Sequence, residues 1–412
     1  MLNVLPGLRS SFDQPVHFKV TGLIPKQTVE LHSKLTDDKG ITFQARAIYS
    51  ADIHGEIDLE TCPSIGGSFT GTQAMGLFTS MKSDVLHHKL SKRDASTPVF
   101  VDVELISNGQ VLGKETLERR FMADGVRKVP LENDKIACTI FLPPGPGPFP
   151  GVLDVYIYGG GMNELRASLL ANKGFVVMAL AYYGHKVLPK APNTLDLEYF
   201  EKAVTLLRTH PKVKGPDIGI LSISKGGDLA LAMSAFLPGI AATVFINGCI
   251  ANTQIPLHYK DMVIPPTKHD ISKVVDTGYG FLDVRDVTVD PTIENKTSVI
   301  PIERASCHFM FVASEDDRNW NSGLFVEQAA QRLRDHGKEN FEVIRYHKAG
   351  HFLEVPYMPH CPTAFHPLPG AVVAFGGEPH AHAEAQVDLW KRVPEFFKKH
   401  LNNDHSDFKA ML

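Results

Sequence analysis

The feature that most constrains the fold of this sequence is a run of strand-forming residues that stops at a serine and passes directly into a helix. The strand-forming residues are 218–223, Ser224 follows them, and helix-forming residues begin at Lys225. So sharp a turn needs small residues two positions before and two after the serine, and Ser222 and Gly226 occupy those positions. The pattern predicts a nucleophile elbow with Ser224 at its tip. An ordinary turn with Ser224 as a helix N-cap is the alternative.

Two kinds of partner for this serine follow later in the chain, each just after a predicted strand. Asp316 and Asp317 lie in a polar loop after the buried strand predicted at 307–313, and His351 follows the strand predicted at 341–347. The order serine, aspartate, histidine is that of the α/β-hydrolases. The three signals together therefore predict a catalytic triad, although each residue alone is common on protein surfaces.

The chemistry of a triad explains these residue types. A serine hydroxyl is a poor nucleophile at neutral pH, so a histidine such as His351 has to take its proton during attack and return it to the leaving group. A carboxylate on the far ring nitrogen fixes the tautomer of that histidine and stabilises the imidazolium. Asp317 and Asp316 both fit this role, and the residue pattern leaves the choice open.

An oxyanion formed at the serine needs two backbone N–H donors. The first is expected from Lys225, and the second from a loop after an earlier strand of the sheet. The strand predicted at 151–157 leads into three consecutive glycines, and Gly160 is the predicted second donor. A dinucleotide-binding loop is disfavoured because the pattern GxGxxG would require glycine where Glu164 stands.

Composition excludes several classes of protein. The chain has 412 residues, 43% of them hydrophobic and 21% charged, with a net charge of -4, which suits a globular protein of two domains and carries no signature of nucleic-acid binding. Its five cysteines form no CxxC pair, which favours reduced thiols inside the cell. No signal peptide, membrane span, metal site or cofactor is expected. A cytosolic location is predicted, with a peroxisomal one as the alternative because the chain ends in Leu412.

The pattern of apolar and polar residues changes after about residue 125. Short alternating segments before that point predict an antiparallel β-sandwich; they are 16–20, 28–32, 41–47 and 99–105. From residue 135 strands and helices alternate, with helices predicted over about 324–336 and 385–401, which predicts a mostly parallel sheet. We therefore predict a β-sandwich domain at 1–127 and an α/β-hydrolase domain at 128–412. A polar insertion at about 250–301 either covers the substrate or is a surface excursion.

Several segments of the chain resemble type I acyl-CoA thioesterases, the family that also contains bile acid-CoA:amino acid N-acyltransferase. They lie at 66–69, 75–77, 159–161, 164–171, 177–183, 222–227, 316–320 and 376–383. The resemblance implies a β-sandwich joined to an α/β-hydrolase domain that cleaves acyl-CoA. It also implies a triad of Ser224, Asp317 and His351, which selects Asp317 over its neighbour. The chain departs from the family at Ser222, where glycine is usual.

The resemblance implies hydrolysis of fatty acyl-CoA to free acid and CoA through an acyl-serine. The amino-acid-conjugating branch of the family carries cysteine as its nucleophile, so Ser224 favours water as the acceptor. Transfer of the acyl group to glycine or taurine is the first alternative, and an esterase, an oligopeptidase-type peptidase and an inactive interaction module are the others. Lys260, Lys268 and Lys273 are candidates for contact with the phosphates of CoA.

Overall fold

A β-sandwich and a helix-flanked parallel sheet make up the fold in a computed structural model, which describes residues 1–133, 136–156 and 161–402. In the sandwich, strands with alternating apolar residues bury one face, so Leu31, Val103 and Phe18 meet in one core. Its elements are β1 Leu2–Leu5, β2 Arg9–Ser11, β3 His17–Val20, β4 Thr28–Thr36, β5 Thr42–Ser50, β6 Ile57–Asp58, β7 Gly66–Gly67, α1 Gly76–Thr79, β8 Lys82–Ser83, β9 Val99–Ser107 and β10 Gln110–Arg120.

The strands of this domain form two sheets. The smaller has the order β1-β3-β6, and the larger has the order β2-β10-β9-β4-β5-β7, with β8 paired to β5. Within the larger sheet the long strands β4, β5, β9 and β10 pair antiparallel. The predicted sandwich is therefore confirmed.

The remainder of the chain alternates strands and helices. Its elements are β11 Arg127–Asn133, β12 Ile136–Leu142, β13 Gly151–Val155, α2 Leu165–Ala171, β14 Val176–Ala181, β15 Leu195–Asp196, α3 Leu197–Arg208, β16 Ile218–Ile223, α4 Lys225–Phe236, β17 Ile240–Ile246, β18 Leu257–Tyr259, β19 Met262–Ile264, β20 Val275–Asp276, β21 Leu282–Asp283, α5 Pro291–Glu294, β22 His308–Ser314, α6 Ser322–Asp335, β23 Phe341–Tyr346, β24 Thr363–His366, β25 Ala371–Ala374 and α7 Pro379–Leu401. Three short 3-10 helices lie at Ile271–Lys273, Lys296–Ser298 and Ile302–Arg304.

Eight of these strands form the central sheet, in the order β11-β12-β14-β13-β16-β17-β22-β23. The first two run antiparallel to their neighbours, and the pairs from β14 to β23 are parallel. Strands β14 and β16 are buried along their whole length, as expected for a sheet covered by helices on both faces. This architecture confirms the predicted α/β-hydrolase fold, and it brings the carboxyl ends of β16, β17, β22 and β23 to one edge.

Part of the predicted insertion packs close to that edge. Strand β21 pairs with β25 in a small sheet of order β20-β21-β25-β24. Leu282 and Val284 pack there against a buried cluster that contains Phe352 and Phe375. Because Phe352 follows His351 directly, this part of the insertion lies next to the predicted catalytic histidine. Its role as a substrate cover stays a prediction.

The two domains share a buried interface. The predicted boundary between residues 127 and 128 falls at the start of β11 and stays a prediction. Across the interface, Asp13 accepts a hydrogen bond from Trp390 Nε1 at 2.8 Å and pairs with Lys173 at 2.6 Å. Asn172 accepts a further bond from the backbone N–H of Ala123. The sandwich is thus joined to the catalytic domain by specific polar contacts.

Two further expectations concern thiols and membranes. The cysteines are all free thiols; they are Cys62, Cys138, Cys249, Cys307 and Cys361. Among the described residues, none of the helices combines the length and the apolar character that crossing a bilayer requires.

Candidate active site

Ser224 stands at a strained turn between β16 and α4. Its backbone has φ 56° and ψ −129°, a region that residues with a side chain rarely adopt. An ordinary N-cap residue has an extended backbone, and its side chain accepts a hydrogen bond from a helix N–H. Ser224 has neither the extended backbone nor this side-chain hydrogen bond. Ser224 therefore stands at the N-cap position of α4 without the backbone or the side-chain bond of an ordinary N-cap. The turn is held by the N–H of Ser224, which donates to the carbonyl of Ile246 at 2.9 Å.

The small residues on the two sides of this turn are both buried in close packing, and a backbone contact requires glycine at 226. A Cβ at Gly226 would lie 2.3 Å from the carbonyl oxygen of Val155, a distance that real Cβ atoms do not show. Ser222 is fully buried, and its hydroxyl donates to the carbonyl of Val244 at 2.7 Å. This hydrogen bond explains how serine is accommodated at a position where the family resemblance implies glycine.

His351 and Asp317 form a buried pair after the last two strands of the sheet. Nδ1 of His351 lies 2.7 Å from Oδ2 of Asp317, and each residue is 1% exposed. The other carboxylate oxygen of Asp317 accepts the backbone N–H groups of Asn319 at 2.9 Å and Trp320 at 3.0 Å, and the hydroxyl of Ser322 donates to Oδ2. These bonds fix the carboxylate so that it faces one nitrogen of the imidazole.

Asp316, the rival of Asp317, has other partners. Its carboxylate pairs with Arg318 at 2.8 Å and accepts the backbone N–H of Gly377 at 2.9 Å. A Cβ at Gly376 would lie 1.9 Å from the carbonyl oxygen of Asp316, so the chain at 376 can only be glycine. Asp316 therefore serves to pack the segment at 376–377 against the acid loop.

Asn247, which sequence reasoning missed, connects the serine to the histidine. It follows β17 directly, is fully buried, and donates from Nδ2 to the carbonyl of His351 at 2.8 Å and to the hydroxyl of Ser314 at 2.9 Å. The residue before it, Ile246, accepts the N–H of Ser224. This chain of bonds places the loop of His351 over the end of β17, next to the strand that carries Ser224. The available signal was a polar residue directly after a buried strand.

No hydrogen bond joins the serine to the histidine among the described residues. Within the described part of the chain, neither the hydroxyl of Ser224 nor Nε2 of His351 has a hydrogen-bond partner. Catalytic hydrogen bonds are often long in an empty site and tighten when substrate binds. The structure thus joins His351 to Asp317, and it brings Ser224 to the same edge of the sheet.

His382 on α7 supports the histidine loop from behind, and it too was missed. Its Nδ1 accepts the N–H of Gly350 at 3.0 Å, and its Nε2 donates to the carbonyl of Phe352 at 3.0 Å. Gly350 and Phe352 are the residues on either side of His351 in the chain. Burial, with a further contribution from His360, lowers the pKa of His382 to about 3, so the ring is neutral. A charged ring could not accept the N–H of Gly350.

Of the two predicted oxyanion donors, the structure describes Lys225 only. Lys225 is the first residue of α4, so its N–H takes no part in the helical hydrogen bonds. Its side chain is buried and donates to Asp228 at 2.9 Å and to the carbonyl of Thr253 at 2.7 Å. Burial lowers the pKa of Lys225, opposed by Asp228. Gly160 lies outside the described residues, and its assignment stays a prediction.

A cleft of about 870 Å³ opens between the two domains. Gly161 and Met162 line one side of it, and the sandwich contributes Arg93. Charges of both signs line the cleft, and the acidic residues Asp94, Glu132 and Glu164 pair with Lys128 and Lys186. Arg93 and Lys190, which also line it, have no acidic partner among the described residues. The three lysines predicted to contact CoA are not among its lining residues, and their role stays a prediction; they are Lys260, Lys268 and Lys273.

One group of described side chains has the spacing of metal ligands. His17, Asp58 and Glu60 lie on the sandwich surface with ligand atoms within 4.8 Å of one another. The ammonium of Lys19 lies 3.0 Å from Asp58 and already neutralises that carboxylate. The group lies on the sandwich domain and has no part in the site described above.

The fold and the arrangement at the edge of its sheet define the class of protein as an α/β-hydrolase enzyme. Comparison with protein families identifies the particular group. Residues 13–133 match the model of the acyl-CoA thioester hydrolase/BAAT N-terminal region, and residues 195–403 match the model of the BAAT/acyl-CoA thioester hydrolase C-terminal region. The chain belongs to this family, as the resemblance predicted.

Curated relatives match over nearly the whole chain. Acyl-coenzyme A thioesterase 1 of Rattus norvegicus is 48% identical over 97% of this chain and 96% of its own length. Mitochondrial acyl-coenzyme A thioesterase 2 of Mus musculus is 47% identical over 98% of this chain and 90% of its own length. Peroxisomal succinyl-coenzyme A thioesterase of Mus musculus is 45% identical over 100% of this chain and 99% of its own length.

Proposed function

We propose that this protein is an acyl-CoA thioesterase that hydrolyses fatty acyl-CoA to free fatty acid and CoA. The observation that carries the proposal is the buried contact of 2.7 Å between Nδ1 of His351 and Asp317, at the sheet edge where Ser224 forms a strained turn. The thioesterase names of relatives that are 45% and 48% identical support the substrate class.

In the first half of the reaction the acyl group moves to the enzyme. Asp317 holds the N–H on Nδ1 of His351, which leaves Nε2 as the base. The oxygen of Ser224 attacks the thioester carbonyl while Nε2 takes its proton. The N–H of Lys225 and the predicted donor Gly160 stabilise the oxyanion. The carbon–sulfur bond then breaks, and the imidazolium returns the proton to the thiolate of CoA.

In the second half water replaces CoA. His351 removes a proton from water, the hydroxide attacks the acyl-serine ester, and the proton passes to the oxygen of Ser224 as the ester bond breaks. The products are a free acid and the original serine. A serine nucleophile in place of the cysteine of the conjugating branch favours water over an amine as the acceptor. The buried Asp317 stabilises the imidazolium in both halves.

The place of action in the cell is a separate part of the proposal. We place the enzyme in the cytosol, with the peroxisome as the alternative. The relatives include proteins named as mitochondrial and as peroxisomal, so members of the family differ in location. The C-terminal residues on which a peroxisomal address would depend lie outside the described residues.

Release of CoA from a panel of acyl-CoAs tests the proposed function. Short, medium and long chains are each supplied to the wild type and to Ser224→Ala, with glycine and taurine either absent or present. We expect CoA and free acid in equal amounts from the wild type regardless of the amines, and a loss of about 10⁴-fold or more in Ser224→Ala.

Two other results would change the assignment. An acyl-amide product that depends on Ser224 and on added amine would make the protein an N-acyltransferase. Hydrolysis of oxoesters with no release of CoA would make it an esterase of the same fold.

A further inference from the structure

A lysine of the sandwich domain reaches the histidine loop of the catalytic domain. Lys89 lies between β8 and β9, and its ammonium donates to the carboxylate of Glu354 and, at 3.0 Å, to the hydroxyl of Tyr156. The side chain of Glu354 is 4% exposed and that of Lys89 is 26% exposed. This ion pair crosses the domain interface, with its carboxylate buried and its ammonium partly exposed.

The pair belongs to a larger buried polar network. The hydroxyl of Tyr156 also donates to Glu354, and the guanidinium of Arg166 lies 5.0 Å from the ring centre of Tyr156. Arg166 in turn pairs with Asp154 on β13. Burial alone would raise the pKa of Glu354, but Lys89 and the hydrogen bond from Tyr156 outweigh it and the pKa is lowered. Glu354 is therefore a buried carboxylate that depends on Lys89 for its charge balance.

The network touches the loop of His351 and the residue directly after β13. Glu354 lies in the loop that carries His351, and the Lys89 ammonium lies 4.6 Å from the ring centre of Phe352 in the same loop. The Phe352 ring stacks on Phe375 at 4.1 Å, and both rings contact the imidazole of His351. On the other side, Tyr156 directly precedes the segment that contains the predicted donor Gly160.

We propose that Lys89 is a positioning residue through which the sandwich domain holds the loop of His351 against Tyr156 at the end of β13. The inference rests on the proposed function, because it assigns Lys89 a part in that same site. Lys89 acts through Glu354 and Tyr156 and does not touch the reacting atoms. The sandwich thereby supports a catalytic site whose reacting residues all lie on the other domain.

Replacing Lys89 by a residue with an uncharged side chain of similar length tests this role. In Lys89→Met we expect kcat for acyl-CoA hydrolysis to fall by at least about tenfold while KM stays within about twofold, since displacement of a catalytic group costs rate more than binding. We also expect a proportionate slowing of the covalent reaction of Ser224 with a fluorophosphonate probe, which reports activation of the serine without any acyl-CoA.

A nearby lysine provides the matched control. Lys92 has a side chain that is only 3% exposed, and its ammonium bonds to Asp38 and Thr97, both in the sandwich. Lys92→Met removes a buried lysine of the same domain without touching the histidine loop. We expect it to lower the thermal midpoint and leave kcat and the probe reaction unchanged within about twofold.

A double variant separates the effect of Lys89 on the position of the His351 loop from its effect on the stability of the fold. Lys89→Met alone leaves the carboxylate of Glu354 buried without its cation, which destabilises the fold. Lys89→Met/Glu354→Gln removes both charges, so we expect the thermal midpoint to recover while kcat and the probe reaction stay low. Recovery of kcat together with the thermal midpoint would overturn the proposal, as would equal losses of kcat in Lys89→Met and Lys92→Met.

The probe reaction distinguishes failure of this inference from failure of the proposed function. A wild type that releases no CoA but reacts with the fluorophosphonate in a Lys89-dependent way would retain the positioning role and reject the thioesterase substrate. Release of CoA that does not depend on Lys89 would retain the thioesterase and reject the positioning role. A wild type whose Ser224 does not react with the probe would reject both.

Discussion

At the scale of single residues, backbone geometry accounts for the identities at the site. Ser224 adopts a strained φ of 56°, and Gly226 is required because a Cβ there would meet the carbonyl oxygen of Val155 at 2.3 Å. These constraints are local in sequence, so the pattern around the serine predicted the turn. The choice between Asp316 and Asp317 came only from the family resemblance, because two adjacent carboxylates in one loop look alike in a sequence.

The two aspartates offer a sharp test of the proposed triad. In Asp317→Asn the amide would present its N–H₂ or its carbonyl to Nδ1 of His351 and destabilise the imidazolium, so we expect kcat to fall by about 10³–10⁴-fold. Asp316→Asn keeps the size of the side chain and weakens its partly exposed pair with Arg318, so we expect a loss below about tenfold. Steady-state hydrolysis of one acyl-CoA by both variants provides the comparison. Equal losses, or a larger loss in Asp316→Asn, would contradict the assignment.

At the scale of elements, periodicity predicted the helices and the buried strands better than the exposed ones. The helix expected over about 324–336 is α6 at Ser322–Asp335, because its apolar residues recur at helical spacing. Strand β10 at Gln110–Arg120 was not predicted, since most of its residues are polar and its first half is largely exposed on both faces. Its strand conformation comes from pairing with β2 and β9, which a local pattern does not contain.

Helix α7 shows a second limit of local patterns. It begins at Pro379, ahead of the start predicted at about residue 385, because Glu378 caps it by accepting the N–H of Ala381 at 2.9 Å. The added turn contains His382, which holds the neighbours of His351. The glycine and histidine residues at 376–383 carried the family resemblance, and their structural role emerges only when β22, β23 and α7 are brought together.

The buried state of His382 predicts how stability changes with pH. Its pKa falls from 6.5 in the unfolded chain to about 3 in the folded protein, so the unfolded state binds the extra proton. The stabilisation is complete above about pH 6.5 and is lost progressively as the pH falls from there toward about 3. Between pH 6 and pH 5 we expect His382 to contribute a fall of about 1.2 kcal/mol in the free energy of unfolding.

Denaturant unfolding at a series of pH values measures this contribution. In His382→Gln the fall between pH 6 and pH 5 should be smaller by about 1.2 kcal/mol. His380→Gln serves as the control for the substitution itself, because His380 lies on the same helix and its side chain is 48% exposed. A His382→Gln slope equal to that of the wild type would show that the ring does not titrate as described.

At the scale of the whole molecule, the sandwich and the catalytic domain are coupled. Lys89 reaches the histidine loop, and Nδ1 of His87 lies 2.9 Å from the hydroxyl of Thr363 on β24. The change in the pattern of apolar and polar residues near residue 125 predicted two domains and their fold classes. It could not predict these contacts, because the partners lie far apart in the chain and no short-range pattern records a long-range pair.

The central claim is that Ser224 carries the acyl group during hydrolysis of acyl-CoA. The most direct test mixes the protein with a long-chain acyl-CoA, quenches with acid during the first turnovers, and locates the adduct by peptide mass spectrometry. We predict one acyl adduct on the peptide that contains Ser224, absent in Ser224→Ala together with CoA release. An adduct on another residue, or CoA release by Ser224→Ala at the rate of the wild type, would contradict the account.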